Sequence, residues 1–148
     1  MQRSSTWGLL KSYKCAKDGM ATHKWLYYAA AGATAIAGIL HLTLAPNFLN
    51  FNPNGAILFF VGGAAQLFWV VPMLRRWGKP WYAAGIGGTA VLIAIWVITR
   101  MPENPITGMD LSVNEMGIAV EAAEAAFIGL AAAILAHESK VAMKKEQT

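Results

Sequence analysis

The chain has 148 residues, enough for one domain. Hydrophobic residues make up 56% of it and charged residues 14%, a balance that excludes an ordinary soluble protein. The net charge of +4 is concentrated beside apolar stretches, where it sets membrane orientation, so no nucleic-acid partner is implied.

Residues 1–24 read as a cytoplasmic N-terminal segment. Between Thr6 and Lys17 the apolar Trp7, Leu10 and Tyr13 oppose Lys11, Lys14 and Lys17. That pattern predicts a short amphipathic helix lying on the anionic inner leaflet, with membrane lipids as its partner. The first twenty residues lack the apolar core of a cleaved signal peptide. The lone Cys15 excludes an internal disulfide and reads as a reduced thiol.

Residues 25–136 form the transmembrane domain. Four stretches, 25–45, 56–74, 81–99 and 116–136, reach the roughly 20 residues needed to cross hydrocarbon at ~1.5 Å per residue. Their apolar residues are continuous rather than alternating, and Ala and Gly are abundant, so they read as helices and not strands. The loop 46–55 holds Pro46, Asn47, Asn50, Asn52, Pro53 and Asn54, a turn-rich hairpin without charge. The connection 75–80 is short enough to force an antiparallel turn. In the third loop, Ser112 and Glu115 have capping-box spacing at the entrance to the last helix. The expected fold is all-α, an up-down bundle of four transmembrane helices. Residues 137–148 form a cytoplasmic tail.

Eleven of the twelve Lys and Arg residues fall before helix 1, in the 75–80 loop or after helix 4. Only Arg100 lies on the other side, with Glu103, Asp110 and Glu115. The positive-inside rule then places both termini in the cytoplasm and the protein in the cell membrane as a multi-pass chain. Trp25, Tyr27, Tyr28, Trp77, Trp81 and Tyr82 occupy the inner aromatic belt. Small residues predict close helix contacts: Gly32, Ala35 and Gly38; Gly62 and Gly63; Gly85 and Gly88; Ala125 and Gly129.

The polar residues within these spans carry the functional signal. Counting inward from the outer boundary at ~1.5 Å per residue puts His41 roughly 6 Å deep, Glu121 about 8 Å, Glu124 about 12 Å and Gln66 about 15 Å. Arg100 stands at the boundary. Every helix thus contributes a polar group to the outer half. A carboxylate there costs several kcal/mol unless it is paired, protonated or wet.

Three readings compete. In one, His41, Gln66, Arg100, Glu121 and Glu124 form a polar network that sets helix register, with Arg100 snorkelling or bending inward to one glutamate while His41 and Gln66 bond the other. In another, His41, Glu121 and Glu124 ligate a transition metal, the carboxylates sharing a helical face at i and i+3. No ExxH motif accompanies them. In the third, the carboxylates carry protons or cations, but only Thr34, Thr89 and Gln66 continue the path inward. No nucleotide loop, HExxH or GxSxG motif is present, so no catalytic residue is assigned.

Several of these residues carry a resemblance. His41 and Pro46 form an H-x4-P pattern, Phe59 and Phe60 precede Gln66, Thr99-Arg100 leads to Asn104-Pro105, and Glu124 lies on helix 4. In this the chain resembles a family of small four-helix membrane proteins of archaea and actinobacteria. It departs in having Gly88 where that family tends to have Asn, and in offering only Glu115 at the helix-4 entrance. That family has no established activity. Proteins of this size also serve as auxiliary subunits of membrane complexes, the copper monooxygenase that oxidises ammonia being one, a likeness of size and helix number only. The leading expectation is an accessory, non-catalytic subunit among other integral-membrane subunits. The alternative is a small metal- or redox-handling protein using His41, Glu121 and Glu124.

Overall fold

Four α-helices make up most of the computed structural model, which describes residues 5–146 and the side chains of residues 24–140 and of Met143. They are α1 (Ser5–Phe48), α2 (Pro53–Arg75), α3 (Lys79–Ile98) and α4 (Glu115–Glu146). No strand occurs among the described residues. Each helix contains a stretch long and apolar enough to cross a membrane: Lys24–Phe48, Pro53–Arg75, Lys79–Ile98 and Glu115–Lys140.

The helices are longer than the apolar runs alone. The segment expected as a separate N-terminal helix shares one unbroken helix with the first span. Between Lys17 and Trp25 there is no proline to stop it, and Gly19 alone costs only about 1 kcal/mol. The amphipathic side chains of that segment lie outside the described residues. α4 likewise continues through the expected tail to Glu146.

Start signals are local. Asn52 caps α2, its Oδ1 accepting from the Gly55 N–H at 3.0 Å, and Pro53 follows where a missing N–H costs nothing. At α4 the cap is Asn114 rather than Ser112. Its Oδ1 accepts from the Gly117 N–H at 2.7 Å, three residues on, and the helix begins at Glu115. The expected capping box is therefore out of register by two residues. α2 ends on Arg76 in the left-handed conformation, φ 51°, with the Trp77 N–H bonded to the Pro72 carbonyl at 3.2 Å. That is a Schellman closure without the usual glycine.

The helices pack in ring order, α1 on α2, α2 on α3, α3 on α4 and α4 on α1, with no backbone approach across either diagonal. Neighbours run antiparallel, as Gly38 opposite Gly63 and Tyr27 beside Glu138 require. The α1–α2 seam is the tightest. A Cβ on Gly38 would stand 2.9 Å from the Gly63 carbonyl oxygen, and one on Gly63 the same distance from that of Gly38. Glycine at both places lets the backbones meet. On α3 and α4 the expectation fails in part. Gly85 does meet the Trp69 indole, but Gly88 and Gly129 have no neighbour within 4 Å of a Cβ, and neither has Gly32 on α1. Ala125 is exposed as well.

The apolar core lies toward the Lys24–Arg76–Lys140 end, called here the basic end. Tyr27, Ala30, Met73, Tyr82, Phe127 and Ile134 are among the residues that build it. Tyr27 and Tyr82, expected in the aromatic belt, are turned inward and meet edge to face at 5.9 Å. Trp25, Tyr28, Trp77 and Trp81 stay exposed. The opposite end, where the 49–52 and 99–114 connections lie, holds the polar residues.

Candidate functional site

The five polar residues separate into two groups. Gln66 and Glu124 form the centre. The Gln66 Nε2 donates to Glu124 Oε1 at 2.5 Å, and the Thr34 hydroxyl donates to the Gln66 carbonyl at 3.0 Å. Glu124 is only 1% exposed, so its carboxyl has left water almost completely. His41 closes the group, with Nε2 3.8 Å from Glu124 Oε1 and Nδ1 3.0 Å from the Ala37 carbonyl. A carbonyl can only accept, so Nδ1 carries a proton, and Nε2 faces the carboxyl. Phe59 lies against the imidazole at 5.2 Å between ring centres. Two buried oxygens, Gln66 Oε1 and Glu124 Oε2, have no partner within the protein.

Arg100 and Glu121 form the second group. Arg100 follows the C-cap Thr99 and does not bend to a glutamate as expected. Its Nη1 donates to the Thr99 hydroxyl at 2.9 Å and to the Trp96 carbonyl at 3.4 Å, and its guanidinium lies 4.2 Å above the Trp96 ring. Local partners one turn back are reached without stretching the side chain into the bundle. Burial lowers the Arg100 pKa from its ordinary value, and the charge of Glu121 opposes that shift. The two charges face a common cavity, lined also by His41, Trp96 and Gly117, without closing to an ion pair.

The expected metal set is not gathered. Three residues of helix advance about 300°, so Glu121 and Glu124 point some 60° apart. Glu124 faces the bundle axis and Gln66, while Glu121 faces the cavity with Arg100. Among the described residues no group of three His, Cys, Asp or Glu side chains could hold a metal ion.

A family model covers residues 16–135, thus the first three membrane-length stretches, most of the fourth and every polar residue of the two groups. The chain belongs to DUF7475, a family of unknown function. Neither a curated protein nor a solved structure matches it.

Three residues of this DUF7475 member have roles that the sequence did not assign to them. Asn104 is buried in the 99–114 connection and organises it. Its Nδ2 donates to the carbonyls of Met109 at 2.7 Å and Met101 at 3.2 Å, and its Oδ1 accepts from the Thr107 N–H at 2.8 Å and the Ile106 N–H at 3.2 Å. An Asn before Pro105 signals a turn, but not burial. Trp96 gives the site an indole N–H. Thr34 binds a backbone carbonyl on α2, which no spacing rule within one helix reveals.

Proposed function

We propose that this protein is a non-catalytic integral-membrane subunit that binds neighbouring membrane helices through α4, with both termini cytoplasmic. One observation carries the reading. Ala122, Ala125, Gly129, Ala132 and Ala136 are all exposed and follow one another at alternating spacings of three and four residues. This is the seam spacing of packed helices, and small side chains allow a close backbone approach where hydrocarbon supplies no hydrophobic drive. The lane lies outside the four-helix ring, so it is free to receive a helix from another chain. The basic end supports the orientation, since Lys24, Arg75, Arg76, Lys79 and Lys140 cluster there.

The polar centre fits the same reading. Gln66, Glu124, His41 and Thr34 bond chiefly to one another and to backbone, which fixes the helices against each other and leaves no nucleophile with a base beside it. Native electrophoresis of membranes solubilised in mild detergent tests the proposal. The protein is expected in a band well above its 15.9 kDa mass, and Gly129→Leu is expected to release it while leaving its unfolding midpoint unchanged. Migration only as a monomer from native membranes would sink the idea.

A further inference from the structure

The α2–α3 seam is the most open in the ring. Between the two helices runs an apolar cleft of about 200 Å³, bounded by Val61, Ala65 and Trp69 on one side and Gly85, Gly88 and Thr89 on the other. Toward the loop end it shares Leu58, Leu92 and Ile95 with the cavity that holds Arg100 and Glu121. Cleft and cavity therefore adjoin in one row along α3. From Gly85 to Arg100 it measures roughly 22 Å at the helical rise, more than one leaflet of a ~30 Å hydrocarbon core.

The head of that row is chemically specific. Arg100 Nε and Trp96 Nε1 are buried N–H donors without a partner. Arg100 Nη2 and Trp96 Nε1 converge beside Gly117, each 3.4 Å from the point its Cβ would take, with Asn114 Oδ1 at 3.3 Å, so any side chain there would press on all three groups. Two N–H donors, one cationic, suit an anionic oxygen. Glu121 on the same cavity wall would repel a bare anion, and Arg100 would repel a bare cation. A headgroup carrying phosphate and an N–H-bearing ammonium satisfies both. A water-soluble zwitterion would leave the apolar cleft unused.

We infer that the protein binds one phospholipid of the phosphatidylethanolamine type, its phosphate at Arg100 and Trp96, its ammonium at Glu121 and one acyl chain between α2 and α3. The site is separate from the α4 lane, so loss of lipid binding and loss of assembly are distinguishable.

Native mass spectrometry of delipidated protein in detergent tests it, with phosphatidylethanolamine, phosphatidylcholine and phosphatidylglycerol supplied at equal concentration. Phosphatidylethanolamine should be retained at least fivefold more than phosphatidylcholine, whose quaternary nitrogen has no N–H for Glu121. Arg100→Gln should lower retention roughly tenfold, the size expected for a lost charge-assisted hydrogen bond. Gly117→Val, which presses on Arg100 Nη2 and Trp96 Nε1, should do the same, and Glu121→Gln should bring the two lipids to parity. Circular dichroism of each variant verifies the fold. Equal retention of all three lipids by the wild type overturns the proposal, as does unchanged retention in folded Arg100→Gln or Gly117→Val. Free phosphoethanolamine should not displace the lipid; if it does so at equal concentration, the acyl chain is not held and the lipid assignment fails.

Discussion

Gln66 and Glu124 bond at 2.5 Å across a diagonal of the helix ring, although the backbones of α2 and α4 make no close approach. The pair spans the interior with side chains alone. Thr34 and His41 brace it from α1, so three helices are registered by one buried polar contact.

Replacing one partner should therefore cost more than replacing both. Gln66→Leu leaves the Glu124 carboxyl buried without its donor, and we expect a loss of about 1–2 kcal/mol, the upper range for polar pairs between membrane helices. Glu124→Gln keeps a hydrogen-bonding partner and should cost less. The double variant Gln66→Leu/Glu124→Leu should recover part of the single loss, because an apolar pair leaves no orphan group. Unfolding in SDS, read by circular dichroism, measures the cycle; additive losses would show that the pair is not coupled.

The glycine seam makes a second, directional case. Gly63→Ala drives a methyl toward the Gly38 carbonyl and should destabilise the protein by about 1–3 kcal/mol through overpacking. Gly32→Ala meets open space and removes a helix-weakening glycine, so a gain of up to about 1 kcal/mol is expected. The opposite order of SDS midpoints would contradict the close approach of α1 and α2.

Asn104 should control one connection rather than the whole fold. Asn104→Ala removes the donor to Met109 and Met101 and the acceptor for Thr107 and Ile106 at once. Amide exchange over residues 101–111 should accelerate by at least tenfold, as loss of even one or two net hydrogen bonds of about 1 kcal/mol each allows. Exchange in α1 and α2 should stay as it is. Uniform acceleration across all helices would mean that the connection and the bundle open together.

At Arg76 two effects oppose each other. Its φ of 51° costs a non-glycine residue about 1 kcal/mol, while its guanidinium rests 4.6 Å above the Tyr27 ring, a contact of about 0.5–1 kcal/mol. Arg76→Gly loses one and relieves the other, so its unfolding midpoint should stay near wild type. Arg76→Ala loses the contact and keeps the strain, and should be the less stable of the two. Equal stability of the two variants would show that the left-handed cap carries no strain.

The all-α class, the number of membrane-length helices and their approximate places were legible because they depend on local quantities. Twenty consecutive apolar residues need hydrocarbon around them whatever their neighbours do, whereas Asn52 and Pro53, expected within a loop, proved to be the cap and first residue of α2. Depth along a helix was legible for the same reason, since rise per residue is constant. That brought His41, Gln66, Glu121, Glu124 and Arg100 toward one end of the molecule.

Which of them touch was decided by rotation about each helix axis and by which helices adjoin, and neither quantity is local. Spacing of i and i+3 allowed Glu121 and Glu124 to act together; the ring order α1–α2–α3–α4 turned one to Gln66 and the other to the cavity with Arg100. The same rotations sent Tyr27 and Tyr82 into the core, and Ala125 and Gly129 out of it. Composition and hydropathy determined by themselves that four helices of membrane length would form, because burying apolar surface is a property of each segment. Only the tertiary packing decided that the acidic pair would be split, because a side chain's partner depends on the face its helix presents to the others.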